Sequence, residues 1–216
     1  MKVVNLGSSN SILNTYIAEL RDVMVQTDRM RFRKNLERIG QIFAYEISKK
    51  LKYEEAEVIT PLGSSDVSIM RSQPVIAAIL RAALPLHQGL LSFFDEADNA
   101  FIAAYRNNKG SDFEIVTEYC SSTSLEERIL ILADPMLATG GSMKASYDVL
   151  TEEYGNPESV HIVSIIASSE GVEALKKKFG ANVTLWVGAI DDELTAQAYI
   201  VPGLGDAGDL AYGNKE

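Results

Sequence analysis

The sequence predicts an α/β fold in which a central parallel sheet is flanked by helices. Short apolar runs bounded by polar residues recur along the chain, as strands buried on both faces require. Between the last three runs lie two helical stretches, "GGSMKASYDVLTEEYG" (140–155) and "SEGVEALKKKFG" (169–180), each closed by a glycine. Strand, helix, strand, helix, strand is the order of a parallel sheet with right-handed crossovers.

Residues 11–51 read as helical. Leu36, Ile39, Phe43, Ile47 and Leu51 fall at steps of three or four, while Lys34, Glu37, Lys49 and Lys50 lie largely off that stripe. "DVSIM" (66–70) is a short strand candidate, and "PVIAAIL" (74–80) is a buried one. "RAALPLHQGLLSFF" (81–94) reads as an apolar helix, suited to a dimer interface or to burial under the sheet. Further strands are expected at "AFIAAY" (100–105), "RILILAD" (128–134), "SVHIVSIIAS" (159–168) and "VTLWVGAI" (183–190). The polar segment at about 107–127 interrupts the alternation and reads as a hairpin arm. With no repeat and no low-complexity linker, residues 1–216 form one expected domain.

Composition narrows the function. A net charge of −10 argues against broad binding to nucleic acid, which depends on Lys and Arg neutralising phosphates. No run approaches the roughly 18 to 20 apolar residues that span a bilayer, and the first residues lack a long apolar leader, so a cytoplasmic protein is expected. One cysteine, Cys120, excludes an internal disulfide, and with only two histidines, His87 and His161, the composition argues against a structural zinc site. Both histidines sit in apolar segments and read as structural, and Trp186 reads as core.

The strongest chemical signal is "ILILADPMLATGGSMKAS". A strand ends at Asp134, a short loop carries Thr139, Gly140, Gly141 and Ser142, and a helix follows at once. Free N–H groups at the helix start, small residues and hydroxyls make an anion site there, at the carboxyl end of a strand. It is not a Walker A loop, because no Gly-Lys-Ser/Thr occurs. Read alone, it also suits an ordinary helix cap. Asp134, at the strand end, is placed to accept bonds from ribose hydroxyls. Near the end, "PGLGDAGD" (202–209) matches G-x-G-x-x-G, but only eight residues follow Gly208, too few for the rest of a dinucleotide-binding unit.

"LADPMLATGGS" resembles the 5-phosphoribosyl-1-diphosphate (PRPP) loop of type I phosphoribosyltransferases, in the form typical of uracil phosphoribosyltransferases, with Asp134-Pro135 where most relatives have two acidic residues. "ILRA" (79–82), "YRN" (105–107) and "YIVPGLGDAGD" (199–209) extend the resemblance in the right order. It implies a type I phosphoribosyltransferase-like fold with a small hood from the chain ends. The implied activity is uracil plus PRPP giving UMP and diphosphate, in pyrimidine salvage.

The resemblance assigns Arg81, Arg106, Asp134, Pro135, Met136, Leu137, Ala138, Thr139, Gly140, Gly141, Ser142 and Asp206 to PRPP. It assigns Tyr199, Ile200, Gly205, Asp206 and Ala207 to uracil, and gives Asp134, Asp206 and Arg106 catalytic roles. Magnesium would ride mainly on PRPP and diphosphate. The partners implied are these two substrates, and a homodimer or higher homo-oligomer is expected. Two departures stand out: Ala83 where the family usually has glycine, and an arm (Thr117-Glu118-Tyr119-Cys120-Ser121) without the basic element many relatives carry. A regulator that keeps the fold and binds PRPP or UMP without turnover is the alternative reading.

Overall fold

The computed structural model describes residues 1–109 and 112–215, with the backbone alone described for 104–109 and 112–117. Its centre is a sheet in the order β1 (Lys2–Asn5), β10 (Val183–Asp191), β9 (Ser159–Ser168), β7 (Ile129–Ala133), β4 (Val75–Leu80), β5 (Asp98–Lys109) and β6 (Asp112–Ser121). All neighbours are parallel except β5 and β6. A two-residue strand, β8 (Met136–Leu137), also joins β9. The central strands β7 and β9 are buried almost throughout, which is why their sequences are continuous apolar runs.

Helices cover both faces. On one lie α1 (Ile12–Arg21), α2 (Arg29–Ser48) and α3 (Leu84–Leu91), packed over Ile76, Ile131, Val163 and Trp186. On the other lie α4 (Gly141–Tyr154) and α5 (Ser169–Lys178), packed over Leu130, Ile162 and Leu185. The predicted helix at 81–94 is therefore buried against its neighbour: a Cβ on Gly89 would stand 2.0 Å from the Glu37 carbonyl oxygen, so α2 and α3 meet backbone to backbone. His87 is buried beside Phe101 and Trp186 is core, as their contexts suggested.

The sheet holds two strands that the sequence reading lacks, the edge strand β1 and the two-residue β8. The "DVSIM" candidate belongs to a longer strand, β3 (Gly63–Met70), paired antiparallel with β2 (Tyr53–Thr60) in a separate hairpin that is mostly exposed. Its alternation is weak because both strands are mostly exposed, with Met70 at one end packing against the core, so only one fragment had a strand signature. The expected arm is the β5–β6 hairpin; Ser122 to Glu127, read as part of the arm, follow it as a connection to β7.

Candidate active site

At the carboxyl end of the sheet a cavity of about 490 Å³ is lined by Asp134, Met136, Ala138 and Ser142 on one side. Tyr199, Ile200, Gly205, Asp206 and Ala207 line the other. Two stretches separated by some sixty residues thus form one cleft, where open α/β sheets place ligands.

The loop between β7 and α4 owes its shape to backbone contacts. Asp134 N–H donates to the Val163 carbonyl at 3.1 Å, continuing the ladder, and its Oδ1 accepts from Met136 N–H at 3.3 Å. The Pro135 carbonyl accepts from Ile165 and Ile166, each at 3.0 Å, and Leu137 turns into the core; both residues are buried and neither lines the cleft. Gly140 caps α4 with φ +78°, a left-handed conformation that glycine adopts without penalty. It brings no capping side chain, so the first turn of α4 presents its N–H groups with only a 3.4 Å bond from Gly141 N–H to Thr139 Oγ1 nearby.

Two supports of this loop escaped the sequence reading. Ser168 Oγ donates to the Ala138 carbonyl at 2.5 Å and accepts from Gly171 N–H at 2.8 Å. A Cβ on Gly171 would meet that same carbonyl at 2.4 Å, so α5 presses directly on the loop. "SSEG" reads only as a helix start, since the partner lies 30 residues away.

The tail is held as firmly. Short strands β11 (Glu193–Leu194) and β12 (Ile200–Val201) pair, and α6 (Ala207–Tyr212) follows with Asp206 as its N-cap, its Oδ1 accepting from Asp209 N–H at 3.0 Å. Gly205 has φ +95°, and a Cβ there would point into open space with Leu210 at 3.9 Å. Its glycine answers to the left-handed backbone conformation.

Arg21 clamps the tail from the opposite end of the chain. Its guanidinium donates to both Asp191 oxygens, at 2.7 and 2.8 Å, and to the Gly203 carbonyl at 2.9 Å. Asp191 also accepts from Gly203 N–H at 2.9 Å. Burial by itself would raise the Asp191 pKa, but the Arg21 hydrogen bonds, the Gly203 N–H and the Arg21 charge outweigh it and hold the carboxyl below its ordinary value. Arg33 donates to the Ala211 carbonyl at 2.7 Å, and Gln26 to that of Leu204 at 3.3 Å, so α1, α2 and their connection form the hood with the tail.

Arg81 follows β4 and meets the tail too: its Nη2 donates to Asp209 Oδ1 at 3.1 Å and to the Gly213 carbonyl at 3.3 Å. Arg106 stands on β5 opposite Ile115, and its side chain lies outside the described residues. Ala83, the departure from the family's glycine, is fully buried with right-handed helical dihedrals, and Ala82 lines the cleft instead. The cleft also contains Gly208 of the glycine motif, and Gln197, Ala198 and Lys215, which the sequence did not single out; Ala198 has φ +61° with no glycine to mark it.

The sequence profile of uracil phosphoribosyltransferases matches residues 7–214. The chain belongs to that family. A relative from Porphyromonas gingivalis named uracil phosphoribosyltransferase is 49% identical over 216 residues, all of both chains. One of the same name from Pyrococcus furiosus is 38% identical over 200 residues, 91% of this chain and 84% of that one. Among solved structures, the AQ2163 protein from Aquifex aeolicus superposes with a TM-score of 0.87 at 30% identity, covering 98% of each chain. The match to the uracil phosphoribosyltransferase family takes in both the Asp134–Ser142 loop and the tail.

Proposed function

We propose that this enzyme transfers the phosphoribosyl group of PRPP to uracil, giving UMP and diphosphate in pyrimidine salvage. The observation that carries this reading is the single cleft shared by the loop at residues 134–142 and the glycine-rich tail at residues 199–208. Full-length relatives that bear the enzyme's name support it, and nothing found favours the non-catalytic alternative.

In this reading the N–H groups at the start of α4, with Thr139 and Ser142, hold the 5-phosphate, while Asp134 binds the ribose. Arg81 and Arg106 receive the diphosphate, for which a planar guanidinium suits two oxygens at once. Tyr199, Ile200, Gly205, Asp206 and Ala207 hold uracil, whose carbonyls and N3–H match backbone groups brought edge-on. The C–N bond forms at the anomeric carbon as the bond to diphosphate breaks and the uracil N1 proton is lost to water, through an oxocarbenium-like state that Asp134 stabilises by charge. No side-chain nucleophile is needed, and positioning supplies much of the rate.

Among the described residues, Asp134 and Asp206 are the two carboxylates on the cleft wall. Two hard oxygen donors fit a magnesium ion borne on substrate phosphates better than one caged by protein. When bound, magnesium would supply positive charge to the departing diphosphate.

Residues 1–216 act as one domain in this proposal, in a cytoplasmic homodimer or higher homo-oligomer without membrane or nucleic-acid partners. No helix among the described residues is long and apolar enough to cross a membrane. The tip of the β2–β3 hairpin, where Ile59 is 83% and Leu62 100% exposed, supports self-association.

The decisive assay supplies PRPP and Mg²⁺ with uracil, cytosine, hypoxanthine or adenine in turn. UMP from uracil alone is expected. No UMP at high enzyme concentration would overturn the proposal, and product from hypoxanthine would overturn its base specificity.

A further inference from the structure

A second cavity, of about 340 Å³, opens at the amino ends of the strands, the opposite end of the sheet from the cleft. Strand register builds its wall. Lys2, Thr184 and His161 are partners across β1, β10 and β9, so their side chains share one row on one face of the sheet. Val4 and Trp186 occupy the next row on that face. Lys50, Leu51 and Lys52, after α2, close the other side, with Lys52 paired to Glu158.

His161 points to the ligand. It is 6% exposed, and burial pushes its pKa down to about 4, so the ring is neutral. Trp186 Nε1–H, which can only donate, bonds His161 Nδ1 at 3.0 Å, leaving the proton on Nε2. Among the described residues Nε2–H has no acceptor. Lys2 and Lys50 are exposed and make no ion pair among those residues. In a chain of net charge −10, three lysines and an imidazole N–H around one carboxylate are a local reversal of sign.

We propose that this cavity binds a small organic phosphate, with its phosphate toward Lys2, Lys50, Thr184 and His161 and its carbon body against Val4, Leu51 and Trp186. A tetrahedral dianion accepts more hydrogen bonds than a carboxylate, which suits an array of several donors. The apolar wall then distinguishes an organic phosphate from the free ion.

Trp186 is the chain's one tryptophan, so its indole N–H gives a single ¹H–¹⁵N resonance from the cavity wall. The full-length protein is titrated with phenyl phosphate, and separately with inorganic phosphate and with phenol. A saturable shift with phenyl phosphate is expected, with Kd raised at least fivefold in Lys2→Ala/Lys50→Ala. It should be unchanged in Thr139→Asp, which sets a like charge in the catalytic loop. Tighter binding of phenyl phosphate than of either separate probe is also expected. No shift up to about 20 mM, a limit well above a millimolar Kd, overturns the proposal. So does a shift kept by the double variant but lost in Thr139→Asp, which would assign the binding to the cleft. An equal response to inorganic phosphate overturns the organic part of the claim. Matching melting temperatures for the variants and the parent establish that their folds are intact.

Discussion

Arg21, at the end of α1, and Asp191, at the end of β10, are joined by two hydrogen bonds across 170 residues of sequence, and both also hold Gly203. The conformation of the tail over the cleft therefore depends on a pair outside it. Asp191→Ala leaves a half-buried guanidinium without its partner, and a loss of about 3 kcal/mol is expected in urea denaturation. The KM for uracil should rise with it. Unchanged stability would show that the pair does not brace the tail.

The same pair sets an acid dependence. Because the folded Asp191 pKa lies below its unfolded value, its contribution is complete above the unfolded pKa, about 3.9, and falls away as pH drops through the folded one. The stability gap between the parent and Asp191→Asn should be widest near neutrality and shrink below about pH 4. A gap constant from pH 7 to 3 would remove this linkage.

Gly205→Val places a β-branched residue at φ +95°, which strains the tail where it lines the cleft. The backbone cost is about 1–3 kcal/mol. Uracil binding should be lost while PRPP still raises the melting temperature. Equal loss of both would point to a collapsed tail instead.

Gly171→Ala tests the brace behind the loop. Its Cβ would lie 2.4 Å from the Ala138 carbonyl, so α5 or the loop must move. The KM for PRPP should rise about tenfold, equivalent to about 1.4 kcal/mol, with a smaller change for uracil. Wild-type kinetics for both substrates would show that the loop tolerates the shift.

Asp134→Asn keeps the shape and removes the charge proposed to stabilise the ribose cation. Turnover should fall at least tenfold, about 1.4 kcal/mol of barrier or more. Undiminished kcat would strip Asp134 of that role.

Much of the site was legible because its pieces are local. A strand ending at Ala133, Asp134 directly after it, a glycine at a positive φ and the helix that starts at once lie within a dozen or so residues, so composition and spacing carry them. The tail was legible for the same reason, through the glycines at 203, 205 and 208. Arg21, Ser168, Gly171 and Asp191 were not, because each serves the site through a partner far along the chain and sits in an otherwise ordinary strand or helix. Ala198 shows the limit most plainly, adopting φ +61° with a residue type that gives no sign of it.

The alternation of apolar runs and helical segments determined the parallel sheet, since burial on both faces requires such runs wherever they pair. It could not determine the full β2–β3 hairpin, whose faces lie mostly outside the core and leave little periodic trace beyond "DVSIM". The sequence also named both halves of the cleft. Only the tertiary structure decided that Arg21 and Asp191 fix one over the other, because a salt bridge between distant residues is a property of packing rather than of either segment.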